Sequence, residues 1–314
     1  MGQLDVLSVG RISVDLYANE PNIGFEGDQS FRKSVGGSPS NVAVAAAQLG
    51  SRVALVTKVG RDAFGDYILS RMGDWGVDTS YIESVEGAQT PLAFAALTPP
   101  ETPTVMFYRG VAAPDTTLQE PDVPASAVTS AGVLWISQTS LAQGSTAETC
   151  LSWMALRKRT QHTVLDLDYR PSLWASRSHA HEMAQRAIAQ ASVVVGNIEE
   201  CEVALEISDP DLAASALLEA GVHLAIIKLG SEGALLATAE ERFRVTPTLV
   251  DVVCGLGAGD AFGGTLCHGL VHGWDLVTIG TFANAAGALV ATRLTCADAM
   301  PSLHELEEMV GYTA

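Results

Sequence analysis

Short runs of apolar residues alternate with longer helical patterns along most of this chain. The apolar runs lie at residues 53–59, 133–137, 163–168, 192–196 and 224–228, and helical spacing occurs at 64–75, 146–160, 199–205, 212–220 and 278–293. A strand covered on both faces is a nearly continuous apolar run, and strands that alternate with helices become parallel neighbours. The alternation therefore predicts an α/β fold, with a doubly wound, mainly parallel sheet and helices on both faces.

A glycine-rich loop late in the chain is the strongest candidate for a functional element. An apolar run at 247–253 predicts a strand or strand end, Gly257-Ala258-Gly259-Asp260 follows, and residues 261–273 have helical spacing. The start of a helix has unpaired N–H groups and partial positive charge, so it binds anions. Asp260 would stay ionised there and could accept a proton from a hydroxyl. The alternative is a tight turn whose acidic residue only caps the helix.

Other phosphate-binding loops fit this sequence less well. No GxxxxGK[ST] pattern occurs, which excludes a P-loop. A dinucleotide-binding loop follows an early strand and precedes a second strand that ends in an acidic residue, whereas this loop lies late and has no such strand after it. A dinucleotide-dependent oxidoreductase is therefore the weaker interpretation.

A second glycine pair precedes a helix of small residues near the start of the chain. Gly36 and Gly37 could let a polyol lie against the backbone while Asn41 bonds its hydroxyls, or they could simply permit close packing. The N-terminal segment, residues 1–10, predicts a further strand. Asp15 lies just past its end, where α/β sheets place ligand contacts, although a lone aspartate there is often a turn residue.

The charge balance makes single arginines informative. The formal net charge is −18, from 18 basic and 36 acidic residues, which argues against nucleic acid and anionic membranes as partners. Arg170 follows the strand at 163–168, and Tyr108 and Arg109 end a pair of alternating segments at 90–97 and 104–109 that predicts a small accessory sheet. A guanidinium at a strand end could hold a carboxylate or phosphate, or it could be a solubilising charge.

Two further pairs follow strands in the second half of the chain. Glu200, three residues after Asn197, could organise a hydrated Mg²⁺ ion on ATP phosphates, and Lys228 precedes Gly230 in a second loop. Helix capping and turn chemistry are the simpler explanation of each pair alone.

The five cysteines are widely spaced without a CxxC pair, and the N-terminal segment lacks a signal-like apolar run, so we expect a cytoplasmic protein.

From Leu4 to about Leu306 the chain resembles the ribokinase-like (PfkB) carbohydrate kinases. Two hallmark segments carry the resemblance, Val35 to Ala43 and Gly257 to Phe262. It implies one kinase domain over 1–314, a lid from strands in about 12–35 and 88–112, and a homodimer through that lid. The implied roles are Asp260 as catalytic base; Gly257, Ala258 and Gly259 as anion hole; Asp15, Gly37 and Asn41 at the sugar; Asn197 and Glu200 at Mg²⁺ and phosphate; and Lys228, Gly230 and Asn284 at ATP.

Within the family the chain is most similar to kinases of sugar acids. The segments 10–16, 107–109, 165–174 and 297–301 carry this similarity, and arginine at positions 109 and 170 suits a carboxylate. It implies phosphorylation of the C6 hydroxyl of 5-dehydro-2-deoxygluconate in myo-inositol catabolism. A 2-keto-3-deoxygluconate kinase, or a fructokinase or ribokinase type, is the alternative. Many relatives have Asp-Thr-Thr where this chain has Cys254-Gly255-Leu256, which leaves potassium activation open.

Overall fold

A nine-stranded sheet forms the centre of the molecule, as a computed structural model of residues 3–110 and 112–311 shows. The expected domain and lid ranges also include residues 1, 2, 111 and 312–314, which lie outside the described part. The strands are β1 (Val6–Val9), β2 (Ser13–Ala18), β3 (Phe31–Gly36), β4 (Val53–Gly60), β5 (Ile82–Val85), β6 (Leu92–Ala96), β7 (Thr104–Tyr108), β8 (Val133–Ser137), β9 (His162–Asp166), β10 (Val193–Asn197), β11 (Leu224–Lys228), β12 (Ala234–Ala237) and β13 (Arg242–Val245). The large sheet has the order β13-β12-β11-β10-β9-β8-β1-β4-β5, parallel except where β12 pairs with β11 and β13.

Helices cover both faces of this sheet. They are α1 (Ser38–Gln48), α2 (Ala63–Asp74), α3 (Ala125–Ser130), α4 (Gly144–Arg157), α5 (Arg177–Ile188), α6 (Ile198–Leu205), α7 (Pro210–Glu219), α8 (Ala258–His272), α9 (Leu276–Ala291) and α10 (Leu303–Val310). Successive strand residues point to opposite faces, so Val6 joins the core under α1, α2, α8, α9 and α10 while Leu7 joins the core under α3 to α7. The predicted doubly wound α/β fold is confirmed.

A separate four-stranded sheet has the order β3-β2-β6-β7. Strand β2 pairs in parallel with β6, and the outer pairs are antiparallel. On one face the register places Asp15 beside Ala93, and Ala93 beside Phe107. The opposite face, which we call the outer face of the small sheet, carries the aromatic residues Phe31, Phe94 and Tyr108.

The strand or strand end predicted at 247–253 is wrong, because these residues form a loop. The sheet ends one element earlier, at the hairpin of β12 and β13, which has no counterpart in the sequence-based assignment. Pro247 has no N–H to donate to a neighbouring strand, and Leu249 is 80% exposed. The backbone N–H of Val253 instead donates to the carbonyl of Ala291 at the end of α9, at 2.8 Å.

Close packing fixes helix α8 against both α1 and the sheet. A Cβ atom on Gly263 would lie 2.5 Å from the ring of Trp135, and one on Gly264 would lie 2.3 Å from the side chain of Ala45 in α1. Neither position can therefore hold a larger residue without a shift of the helices. This contact brings the N-termini of α1 and α8, the two helices with glycine-rich starts, to the same edge of the large sheet.

Candidate active site

Helix α8 begins with the predicted anion-binding loop. Gly257 caps the helix with a φ of +84°, and a Cβ atom there would lie 2.7 Å from the sulfur of Cys296. Ala258, Gly259 and Asp260 form the first turn, three residues earlier than the helical spacing predicted. The N–H groups of a first turn have no partner inside the helix, so they are available to an anion. A Cβ atom on Gly259 would lie 3.3 Å from the ammonium of Lys228, which shows how little room a side chain would leave between the loop and this cation.

The carboxylate of Asp260 lies between the two glycine-rich helix starts. Its Oδ2 accepts a hydrogen bond from the amide of Asn41 in α1, at 2.7 Å. Burial raises the pKa of Asp260 to about 6, the negative charge of Asp168 adds to this rise, and the hydrogen bond from Asn41 opposes it. A base with such a pKa is ionised at neutral pH and still has affinity for a proton. The carboxylate lies at the helix start where the sequence analysis expected it, and its role as the catalytic base stays a prediction.

Two carboxylates that the sequence analysis did not assign lie at the carboxyl end of β9. Asp166 is buried, its Oδ1 has no hydrogen-bond partner among the described residues, and the ammonium of Lys228 lies 3.7 Å away. Burial raises the pKa of Asp166 to about 8, although Lys228 opposes the rise. Burial would raise the pKa of Asp168 as well, but the positive charges of Arg170 and Arg11 bring this pKa below the usual value. Carboxylates directly after a buried strand were the signal that could have identified both.

Asn197 and Glu200 form a capping box at the start of α6. The side-chain oxygen of Asn197 accepts from the N–H of Glu200 at 2.8 Å, and the Glu200 carboxylate accepts from the N–H of Asn197 at 2.7 Å. The simpler explanation, helix capping, therefore describes their mutual contacts. The same capping box holds the Glu200 carboxylate 3.8 Å from the ammonium of Lys228. Burial opposes the charged form of Lys228, but Glu200 and Asp166 raise its pKa above the usual range.

A surface pocket of about 460 Å³ opens beside this capping box. Asn197, Lys228 and Gly230 line it, so the structure brings together three residues predicted at the nucleotide. Asn284 is placed differently, because its amide donates to the backbone oxygen of Thr246 and to the hydroxyl of Thr248. It holds the loop after β13 and is not part of the pocket lining.

The residues predicted at the sugar lie where the small sheet meets α1. Asp15 accepts hydrogen bonds from the hydroxyl of Ser13 at 2.6 Å and from that of Tyr17 at 3.3 Å, and burial raises its pKa. A Cβ atom on Gly36 would lie 1.9 Å from the Asp15 carboxylate, so a side chain there would displace this carboxylate. Gly37 has a φ of +99°, and its Cβ would lie 2.5 Å from the carbonyl oxygen of Arg11.

The predicted substrate-binding residues at 108, 109 and 170 occupy three different environments. Arg109 is mostly buried and pairs with the buried carboxylate of Asp115. Arg170 is half exposed, and its Nε lies 2.9 Å from Asp168. Tyr108 packs on Phe94 at the outer face of the small sheet, opposite to Asp15. Its predicted place over the substrate pocket is therefore not supported, because neighbouring residues of a strand point to opposite faces.

Arg11 is the third site residue that the sequence analysis did not assign. It connects β1 to β2, it is 7% exposed, and its guanidinium carbon lies 5.2 Å from the centre of the Phe107 ring. Burial and the charge of Arg109 lower its pKa to about 10, so it remains a cation at neutral pH. Its position after a strand end, within the segment 10–16 that carries the similarity to sugar-acid kinases, was the signal that could have identified it.

This fold and this site are those of a sugar kinase, and the chain belongs to the pfkB family of carbohydrate kinases, which it matches over residues 3–303. It is 34% identical to a 5-dehydro-2-deoxygluconokinase of Shouchella clausii over 98% of this chain and 96% of that protein. It is 31% identical to a 5-dehydro-2-deoxygluconokinase of Geobacillus thermodenitrificans, over 98% and 93%. The fructokinase of Vibrio cholerae with bound fructose, ADP and calcium ion superposes with a TM-score of 0.86 at 26% identity, over 97% and 98% of the two chains.

These comparisons confirm the resemblance inferred from the two hallmark segments. The chain is a phosphotransferase that acts on a sugar hydroxyl. None of the helices in residues 3–110 and 112–311 is both long and apolar enough to cross a membrane.

Proposed function

We propose that this kinase transfers the γ-phosphoryl group of ATP to the terminal C6 hydroxyl of 5-dehydro-2-deoxygluconate in myo-inositol catabolism. The observation that carries the proposal is the Asp260 carboxylate at the start of α8, with the charge of Arg170 close enough to affect its pKa. A base next to an anion-binding helix start suits phosphoryl transfer, and a nearby guanidinium suits a carboxylate on the acceptor. The names of the two bacterial relatives support this acid in particular.

The acceptor side is assigned to residues of β2, α1 and α8. Asp15 and Asn41 hold the sugar hydroxyls, and the absence of side chains at Gly36 and Gly37 lets the sugar approach the backbone. Asp260 accepts the proton of the attacking hydroxyl, while the N–H groups of residues 257–259 stabilise the negative charge of the transferred group. Arg109 and Arg170 lie on the side of the substrate carboxylate.

The donor side is assigned to the pocket beside the capping box. Lys228 and Gly230 contact the ATP phosphates, Asn197 and Glu200 hold Mg²⁺ through water, and Asn284 positions the loop at the nucleotide. Within the described residues no group of three or more His, Cys, Asp or Glu side chains is arranged to hold a metal ion. Magnesium at this site would therefore take most of its ligands from phosphates and water, as is usual for Mg²⁺ with ATP. When bound, it supplies positive charge to the transferred group.

The experiment that tests the proposal is ADP release from Mg-ATP with a panel of acceptors. The acceptors are 5-dehydro-2-deoxygluconate, 2-keto-3-deoxygluconate, fructose, ribose and adenosine. A preference for the first acid is expected, and a preference for 2-keto-3-deoxygluconate would keep the carboxylate recognition but change the pathway. Turnover of neutral sugars alone would refute the acid specificity. Each assay is run with and without potassium, because residues 254–256 provide no side-chain oxygen at the position of the Asp-Thr-Thr segment.

We further propose that the chain is a single kinase domain, that the small sheet is its lid, and that two lids form a homodimer. The outer face of the small sheet exposes Phe31, Met106 and Tyr108, and apolar side chains on one sheet face suit burial against a second copy. The variant Tyr108→Asp should then run as a monomer in size-exclusion chromatography, and an unchanged elution volume would contradict this interface.

The five cysteines are free and buried, which supports a reducing, cytoplasmic location.

A further inference from the structure

The guanidinium of Arg11 is buried without a partner. Its Nε and Nη1 atoms have no hydrogen-bond partner within residues 3–110 and 112–311, and no carboxylate in that part of the chain lies within ion-pair distance. The guanidinium carbon lies 5.2 Å from the centre of the Phe107 ring, and the charges of Asp168 and Asp115 favour its charged form from beyond ion-pair distance. A buried, unpaired charge destabilises a folded protein, so its presence calls for a compensating role.

The two arginines near Arg11 are already paired. Arg109 forms its ion pair with Asp115, and Arg170 forms its ion pair with Asp168. An incoming carboxylate would compete with Asp168 for the Nε of Arg170, whereas it would displace no protein group from Arg11. Arg109 also has a buried Nη1 without a partner. Buried nitrogens without a partner therefore occur on Arg11 and Arg109, whereas the guanidinium of Arg170 is half exposed.

Asp115 and α1 fix Arg11 at the acceptor end of the site. The buried Asp115 carboxylate accepts from the backbone N–H of Ile12 at 3.0 Å and also binds Arg109, so it couples the two arginines. The carbonyl of Arg11 lies against Gly37 at the start of α1, where a Cβ atom would approach it to 2.5 Å. Arg11 is thus held next to the residues assigned to the sugar.

We propose that Arg11 is the principal carboxylate-binding residue of the acceptor site. Its unpaired N–H groups donate to the carboxylate of the sugar acid, with the free Nη1 of Arg109 as an additional donor, and the Phe107 ring supports the guanidinium from one side. This assignment rests on the proposed function, and it makes Arg170 the weaker of the contacts to the acid. It also accounts for a costly buried charge, which the substrate carboxylate would neutralise.

The test compares R11Q and R170Q, with R177Q as the matched control. Arg177 lies on α5 in an exposed ion pair with Glu202, so its loss should leave the kinetics unchanged. R11Q should raise the KM for 5-dehydro-2-deoxygluconate by about 10- to 150-fold, the loss expected for hydrogen bonds to a charged group. R170Q should raise it less, and the KM for Mg-ATP should stay close to that of the wild type in both variants.

The melting temperature separates a binding role from a structural one. Removal of an unpaired buried charge should stabilise the substrate-free protein, so R11Q should melt about 2 °C or more above the wild type. A structural arginine would give the opposite sign. R11K keeps the charge but loses the planar group, and it should raise the KM for the acid by a smaller factor than R11Q.

Several results would overturn the assignment of Arg11. These are an unchanged KM for the acid in R11Q or R11K, a larger effect in R170Q, and an equal rise of KM for the acid and for fructose. The proposed function fails separately, on the wild-type enzyme, if it phosphorylates fructose but no sugar acid.

Discussion

The starts of α1 and α8 share a glycine cap and differ in the charge of the first turn. Each helix is capped by a glycine in the left-handed region, Gly37 with a φ of +99° and Gly257 with a φ of +84°, and neither cap uses a side chain. Helix α8 has an acidic residue, Asp260, in its first turn, whereas α1 has none and presents the amide of Asn41. The two side chains meet in a hydrogen bond of 2.7 Å.

This difference shows how the same backbone arrangement, a glycine-capped helix start, can serve phosphoryl transfer in one helix and sugar binding in the other. The N–H groups at the start of α8 lie next to Asp260, the proposed base. They can therefore stabilise the negative charge that develops on the phosphoryl group during its transfer. The start of α1 offers neutral donors, which suit sugar hydroxyls. Ser40 ties α1 to the small sheet by hydrogen bonds to the carbonyls of Gly36 and Gly37. The start of α8 is tied instead to Cys296, against which Gly257 packs.

Removal of the base should have the largest effect. Asp260→Asn keeps the shape of the side chain but cannot accept the proton, so kcat should fall by about 10²–10⁴ while the KM for the acceptor changes little. The measurement is steady-state ADP release, with Asp275→Asn as the control, because Asp275 caps the neighbouring helix α9. Full activity of Asp260→Asn would show that α8 provides only the anion site.

Alanine at the two capping glycines should separate the two helix starts. Gly257→Ala places a Cβ atom 2.7 Å from the sulfur of Cys296, and Gly37→Ala places one 2.5 Å from the carbonyl of Arg11. Each should lower stability by about 1–3 kcal/mol, because both positions have positive φ. We expect Gly257→Ala to lower kcat and Gly37→Ala to raise the KM for the acceptor, both measured in the ADP assay.

The control for these substitutions is Gly73→Ala in α2. A Cβ atom there meets nothing within 4 Å, and alanine favours a helix, so the melting temperature should not fall. If Gly37→Ala and Gly257→Ala changed the same kinetic constant, the proposal that α8 serves phosphoryl transfer and α1 serves acceptor binding would be refuted.

Features that depend on local pattern could be predicted from the sequence. Buried parallel strands have continuous apolar runs, so the alternation of strands and helices was sufficient for the fold class. Chain order and glycine spacing identified both helix starts, including Asp260. The apolar run at 247–253 led to a wrong strand prediction, because apolar content does not show whether a neighbouring strand is available for pairing. In the structure β13 is already the edge strand of the sheet.

Features that depend on distant partners could not be predicted. Asp166 meets Lys228 only because β9, β10 and β11 are adjacent in the sheet. Tyr108 was assigned to the substrate side because the sequence does not show which face of β7 points inward, and a change of one residue exchanges the faces. The absence of a partner for Arg11 is likewise visible only after all its neighbours are placed.

The pH dependence should show how α1 tunes the base on α8. Asp260 must be ionised to accept a proton, so kcat/KM should fall as the pH drops through about 6, well above the usual aspartate value of 3.8. The hydrogen bond from Asn41 lowers this pKa, so the midpoint of Asn41→Ala should move above that of the wild type. The measurement is kcat/KM for the acid from well below to well above pH 6. A wild-type midpoint near 3.8, or no change in Asn41→Ala, would contradict the coupling.

The smallest effect is expected from the hydroxyl that ties α1 to the small sheet. Ser40 donates to the carbonyls of Gly36 and Gly37 at 2.7 and 2.6 Å, so Ser40→Ala should cost about 0.5–1.5 kcal/mol of stability and raise the KM for the acceptor a few-fold. Thr265 is the matched residue of α8, and among residues 3–110 and 112–311 its hydroxyl bonds only within its own helix, to the carbonyl of Ala261. Thr265→Ala should therefore change the melting temperature without changing KM. If both variants altered stability alone, the hydrogen bonds of Ser40 would hold the helix without influencing the acceptor site, and α1 would recognise the sugar through Asn41 and the bare backbone at Gly37.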